Sequence, residues 1–206
     1  MANEPGEPIP GTPYHVHPSF AMESASAASL LTRTGKSIEE WAEIVRKDGP
    51  ADPKLQQAWL KATHGITTNY AMWIYEKANR IGGAENYRPV DSVEALFAGK
   101  KAELRPIYEA ILEFGKSLGE DVMVCPCQSM VPFYCRNVFA TVKPTTLTRV
   151  DLGLCLRGEP FSNLLIDTGG TEKKDRITHR IALTCVDDFD DSVKLWFRLA
   201  YVRCAR

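Results

Sequence analysis

From residue 37 onward, apolar side chains recur every three or four positions; from about residue 122 they alternate one by one. The first regime predicts helices. Ile38, Trp41, Ala42 and Val45 form one stripe, opened by Ser37 and Glu40 at capping-box spacing and stopped by Gly49-Pro50. Leu55, Ala58, Trp59 and Ala62 predict a second helix ending near Gly65. Ala71, Ile74, Tyr75 and Ala78 predict a third, ending near Gly82-Gly83. Ahead of these, Ser19 is placed to cap a helix over 20–31 that Gly35 ends. After them, Asp91 and Glu94 repeat the capping spacing. Beyond Gly99 a longer helix carries Leu104, Ile107, Tyr108, Ile111, Leu112 and Leu118.

The second regime predicts strands over 122–125, 130–135, 138–143, 147–156, 164–166 and 177–185, with turns at Arg136-Asn137 and at Lys143–Thr146. Asp187, Asp188, Asp190 and Asp191 then suit the N-terminus of a last helix, which buries Phe189, Val193, Trp196, Phe197 and Ala200. The order predicts an α+β chain: an N-terminal helical module packed on a two-layer domain with an antiparallel sheet flanked by helices. The expected divisions are an extended proline-rich arm over 1–18, the helical module over 19–98 and the α+β sandwich domain over 99–206. Tyr14-His15-Val16-His17 is too aromatic for a plain tail, so 14–18 is expected to dock on the body.

Composition narrows the function classes without choosing one. The chain has 206 residues and a formal net charge of -1, so no global field recruits nucleic acid or an acidic membrane. No apolar run reaches the roughly 20 residues of a membrane span. The N-terminal stretch, with Glu4, Glu7 and early prolines, lacks a basic start followed by a greasy run. A cytoplasmic location and free thiols at all six cysteines are therefore expected.

Four groups are candidates for chemistry. Cys125-Pro126-Cys127 has the residue types for metal binding or disulfide exchange, but no second close cysteine pair completes a tetrahedral site. Among the histidines, His15 and His17 are two apart and face one way in an extended segment. His64 precedes a helix-ending glycine. His179 is expected to share a buried strand face with Ile177, Ile181 and Leu183.

The third group is a polar sheet face. Arg149 and Asp151 emerge on one side of a strand, opposite Val150, Leu152 and Leu154, and Lys143, Thr178 and Arg180 are expected to join them. The loop 167–176 adds Gly169-Gly170, Lys173 and Arg176, whose amides and cations have the makings of an anion cradle. The fourth group is the helix pair around His64-Gly65-Ile66, spaced as in a helix-turn-helix. Against it, Lys61 stands where such motifs bury a small residue, and residues 36–80 hold seven cations against six acids. No nucleophile elbow, H-E-x-x-H or dinucleotide-binding G-x-G-x-x-G is present, so no catalytic residue, metal or cofactor is assigned.

Two stretches, GKSIEEWAEIVRKDGP and AWLKATHGITTNYAMWI, resemble the N-terminal helical module of a bacterial two-part family of unknown function. LRPIYEAILEFGKSLGEDV, CPCQSMVPFY, VFATVKPTTLTRVDLGL and ITHRIALT resemble the domain that follows it there. The resemblance covers roughly residues 15–204 and implies a compact cytoplasmic bacterial protein, with no established activity to carry over. The C-terminal domain is also similar, more distantly, to the YdhG and YjbR-like small α+β folds.

The favoured reading is non-catalytic binding of a small anion or a protein partner at the sheet face. Lys143, Arg149, Asp151, Lys173, Arg176, His179 and Arg180 are its binding residues. Two readings from other classes stay open: a DNA-associated helix-turn-helix-like module, and a thiol or metal-dependent enzyme on Cys125 and Cys127.

Overall fold

Ser37 accepts a hydrogen bond from the Glu40 amide while the Glu40 carboxylate accepts from the Ser37 amide, so the expected capping box opens α2, Ile38–Asp48. The structure is a computed structural model that describes residues 4–81 and 86–205, without the side chains of 22–25. The chain divides into two compact units, Met1–Glu7 with Val16–Tyr87 and Pro8–His15 with Arg88–Arg206.

The first unit is helical. α1 (Ser19–Thr34) runs into Gly35, whose φ of 71° closes the helix in the left-handed region that glycine occupies without strain. Its N-cap is Pro18, with no side-chain cap, so Ser19 lies inside the helix instead of capping it. α3 (Pro53–His64) is capped by Asp52 and closed by Gly65, and α4 is Thr68–Ala78. Leu30, Trp41, Ala42, Val45, Leu60, Ile66, Ala71 and Ile74 are the core between them. The Gly82-Gly83 stop lies outside the described residues.

The second unit opens with α5 (Pro89–Leu96). Proline at its first position starts this helix, and Asp91 sits in its first turn without capping it. A 3-10 turn over Gly99–Leu104 leads into α6 (Arg105–Lys116). Six strands follow: β1 (Met123–Val124), β2 (Val131–Tyr134), β3 (Val138–Pro144), β4 (Val150–Leu154), β5 (Ile166–Asp167) and β6 (His179–Leu183). They form one antiparallel sheet in the order β1-β2-β3-β4-β6-β5, and α7 (Asp191–Ala205) ends the chain.

One face of the sheet packs against α6 and α7, as the alternation requires. Ala140, Val142, Leu152, Leu154, Ile181 and Leu183 meet Ile107, Tyr108, Ile111, Val193, Phe197 and Ala200 there. Gly115 permits the closest approach: a Cβ on it would lie 2.5 Å from a ring carbon of Phe133 and 3.1 Å from Phe197. The segment Pro8–His15 covers the β1 edge. The His15 amide donates to the Val124 carbonyl, and the Val124 amide donates to His15 Nδ1. Tyr14 is buried beside it, its hydroxyl accepting from Tyr108. A sheet edge paired in this way offers no row of unmet amides to another chain.

The cysteines depart from the expectation of six thiols. Cys135, after β2, and Cys204, in the last turn of α7, are joined as a disulfide with their Cα atoms 6.5 Å apart. Their separation of 69 residues hides the pairing from a reading by spacing.

Candidate functional site

Register fixes which side chains share the polar face. Lys143 on β3 lies opposite Asp151 on β4, and Gly153 on β4 lies between Thr141 on β3 and Arg180 on β6. These residues point away from the face that α6 and α7 cover. Arg149 sits just ahead of β4 in the same alternation.

Asp151 organises the group. Arg149 Nε lies 2.9 Å and Arg180 Nη1 3.2 Å from its Oδ1. Arg149 Nη2 also reaches Oδ2 at 3.4 Å, and the Thr145 hydroxyl donates to Oδ2 at 2.7 Å. The Arg149 Nε contact is an ion pair without hydrogen-bond alignment, so this buried N–H has no hydrogen-bond acceptor among the described residues. The Asp151 side chain is 12% exposed, whereas those of Arg149 and Arg180 are 32% and 27% exposed. The carboxylate is therefore the floor, and the two arginine side chains over it keep about a third and a quarter of their surface open to water. Together with exposed Lys143, the patch holds three cations against one carboxylate.

The loop between β5 and β6 leans onto this face at its base. A Cβ on Gly153 would lie 2.5 Å from the Thr141 hydroxyl and 2.7 Å from Ile177 Cγ2, so Ile177 rests over the bare backbone of β4. This corrects the expected side for Ile177, since strand β6 begins only at His179. Thr178, expected on the polar face, is likewise buried. Its hydroxyl bonds His179 Nδ1 at 2.8 Å and its amide donates to the Leu154 carbonyl.

His179 is 1% exposed and lies on the core face opposite Leu154. Its Nε2 faces the Glu159 carbonyl at 3.1 Å. A carbonyl only accepts, so Nε2 carries the proton and Nδ1 takes the Thr178 hydroxyl's. Both ring nitrogens are thereby used within the fold.

The Gly169-Gly170 amides are also used. Gly169 N–H donates to Asp167 and Gly170 N–H to Thr168, which closes the expected cradle on itself. Lys173 and Arg176 are exposed on this loop. The structure thus brings Arg149, Asp151, Arg180 and Lys143 onto one face. It sets Lys173 and Arg176 on the adjoining loop and His179 on the other face. Sequence reading misses Thr145, whose turn position gives no signal of its reach back to Asp151, and Ile177 as the cover of Gly153.

The other candidates resolve into packing. Burial pushes the Cys125 thiol up to about 12, helped by the neighbouring Cys127, and raises Cys127 as well. Both therefore favour the protonated form, which is not the nucleophile, at neutral pH. No group of three or more possible metal ligands occurs among the described residues. His64 packs edge-on between Trp41 at 5.0 Å and Trp59 at 4.8 Å. Lys61 is exposed on α3. No described helix is long and apolar enough to cross a membrane.

Residues 93–202 match a domain of unknown function, DUF5655, and residues 24–80 match a second, DUF4287. The first match covers more than half of the chain, and the chain belongs to the DUF5655 family. No curated protein matches it, and no solved structure does.

Proposed function

We propose that this DUF5655 protein binds a small anionic ligand on the polar face of its sheet, without catalysing a reaction on it. The observation that carries the reading is the sharing of one carboxylate oxygen by Arg149 and Arg180. A guanidinium has five N–H donors, and Asp151 accepts only a minority of those the two side chains present. Asp151 thus holds both in place from below while each side chain stays partly exposed to solvent. Fixed guanidiniums lose little side-chain entropy on gripping an oxyanion, which favours recognition over a loose solvated pair.

Lys143 adds a third positive charge, and Lys173 and Arg176 place two more on the loop whose base Ile177 anchors at the face. His179 is left out of the binding set, because its ring is buried on the opposite side. DNA binding by α3 and α4 is not favoured, since the near balance of charge over 36–80 supplies no basic stripe for phosphates.

A screen of nucleotides, sugar phosphates and dicarboxylates by thermal shift tests the reading. Arg149→Ala is expected to keep the fold, with a loss of about 1 kcal/mol or less, since the ion pair is partly exposed. It should also abolish the rise in Tm that a binding anion gives the wild type. A rise of equal size in both proteins would place the binding elsewhere.

A further inference from the structure

The arrangement of charge around Asp151 names the class of anion, an inference that rests on the anion-binding reading above. Arg149 Nε and Arg180 Nη1 lie 2.9 and 3.2 Å from the same oxygen. These inner nitrogens face Asp151, which thereby holds the two guanidiniums no more than ~6 Å apart, close enough for their remaining nitrogens to grip separate oxygens of one tetrahedral oxyanion. Lys143 stands in register with Asp151 on the next strand, where cross-strand Cβ atoms are about 5 Å apart. Lys143, Arg149 and Arg180 outnumber Asp151 by two positive charges.

A singly charged ligand leaves a net charge on this half-open patch. A doubly charged one removes it, at the desolvation cost of only one small group. The groups that face the patch are Lys143 from β3, Thr145 from the β3–β4 turn, Arg149 just ahead of β4, Asp151 from β4 and Arg180 from β6, with apolar Ala182 and Ile166 as in-register neighbours on β6 and β5. Ile177 and Thr141 close its inner end over Gly153, where a Cβ would find no room. A compact headgroup therefore fits better than a bulky one.

We infer that the ligand presents a phosphomonoester group, bound as its dianion between Arg149 and Arg180 with Lys143 beside it. A phosphomonoester carries about −1.5 to −2 charges near neutral pH.

Phenyl phosphate and phenyl sulfate separate charge from shape, being near-identical tetrahedral esters with about two and one negative charges. Calorimetry on the full chain at pH 7.5 and matched ionic strength is expected to show phenyl phosphate binding at least tenfold more tightly. Arg149→Gln and Arg180→Gln should each weaken it at least tenfold, with far-ultraviolet circular dichroism unchanged. Lys143→Gln, which leaves the Asp151 contacts intact, should weaken it several-fold and serves if either arginine variant fails to fold. Equal affinity for the two esters, lost in the variants, would overturn the dianion preference and leave anion binding standing. No binding of either ester, or binding that survives all three substitutions, would overturn the inference and the anion-binding reading together. A phosphoserine peptide run alongside reads the source of the group: tighter binding than phenyl phosphate supports it on a protein, equal or weaker binding on a free metabolite.

Discussion

At the scale of single residues, the proposed anion binding sets two roles of Asp151, in stability and in binding, against each other. Its carboxylate receives both arginines and the Thr145 hydroxyl, so it ties the β3–β4 turn to β4 and β6. Removing its charge leaves two cations facing each other on a partly buried patch, which costs about 1–3 kcal/mol once solvent screening is allowed for. The same change deletes the one negative charge an incoming anion must approach. Asp151→Asn is therefore expected to lower the urea midpoint yet tighten phenyl phosphate binding. A variant that loses both together would make Asp151 a positioning residue whose geometry outweighs its repulsion. Asp188 is a second residue with a directional role. Its Oδ2 accepts from the Thr184 amide, the Thr184 hydroxyl and the Cys185 amide, and these bonds hold its carboxyl down to about 2. A carboxyl depressed on folding stabilises above its ordinary value, 3.8, and loses that contribution as pH falls from about 4 to 2. The residue is partly exposed at the surface, so the contribution is about 1 kcal/mol after screening. Asp188→Asn should cost that much at pH 7 and nothing near pH 2, as read from urea unfolding at the two pH values.

At the scale of elements, periodicity makes most of the fold legible. All six strands lie within one or two residues of their expected spans, apart from longer expected ends on β4 and β6, because a half-buried strand must alternate. The ends fail where the chain stops alternating. Ile177 and Thr178 continue the apolar–polar rhythm of β6, yet one crosses to the polar face and the other turns into a buried bond with His179. Nothing in a period-two pattern marks that switch. The start of α5 misleads for a related reason: Asp91 and Glu94 have capping spacing, but Pro89 already satisfies the first turn. Gly115 is a further case, a glycine in the last turn of α6 whose role only packing reveals. Alanine there gains up to about 1 kcal/mol in helix propensity, but its Cβ would meet the Phe133 ring at 2.5 Å and Phe197 at 3.1 Å. Both rings are fully buried, so the overpacking cost of about 1–3 kcal/mol exceeds the gain. Gly115→Ala should lower Tm by several degrees, and a rise in Tm would mean the aromatic cluster repacks freely.

At the scale of the molecule, the site is legible in outline because the register of β3, β4 and β6 follows from their hydrophobic faces. That register puts Asp151 and Arg180 on one face, and the same alternation carried one residue ahead of β4 adds Arg149. What stays illegible is long-range: the Thr145 bond, the cover of Ile177 and the pairing of Cys135 with Cys204. The last of these bears on the whole second unit. Cys204 lies in the last turn of α7, and Cys135 follows β2, so the cross-link closes a loop of 69 residues that contains β3, β4, β5, β6 and most of α7. Closing a loop of that size in the unfolded chain removes entropy worth about 4 kcal/mol, of which a disulfide typically delivers about 2–4 kcal/mol as net stability. The other four cysteines are unpaired in the structure, and burial keeps Cys125 and Cys127 protonated. A reductant should thus act through the single bridge. Urea unfolding of the wild type with and without dithiothreitol is expected to differ by about 2–4 kcal/mol, and Cys204→Ser should match the reduced wild type. Dithiothreitol should then have no effect on Cys204→Ser. If the reductant destabilised that variant as much as the wild type, the loss would not come from reducing this bridge, and the bridge would contribute nothing to the fold.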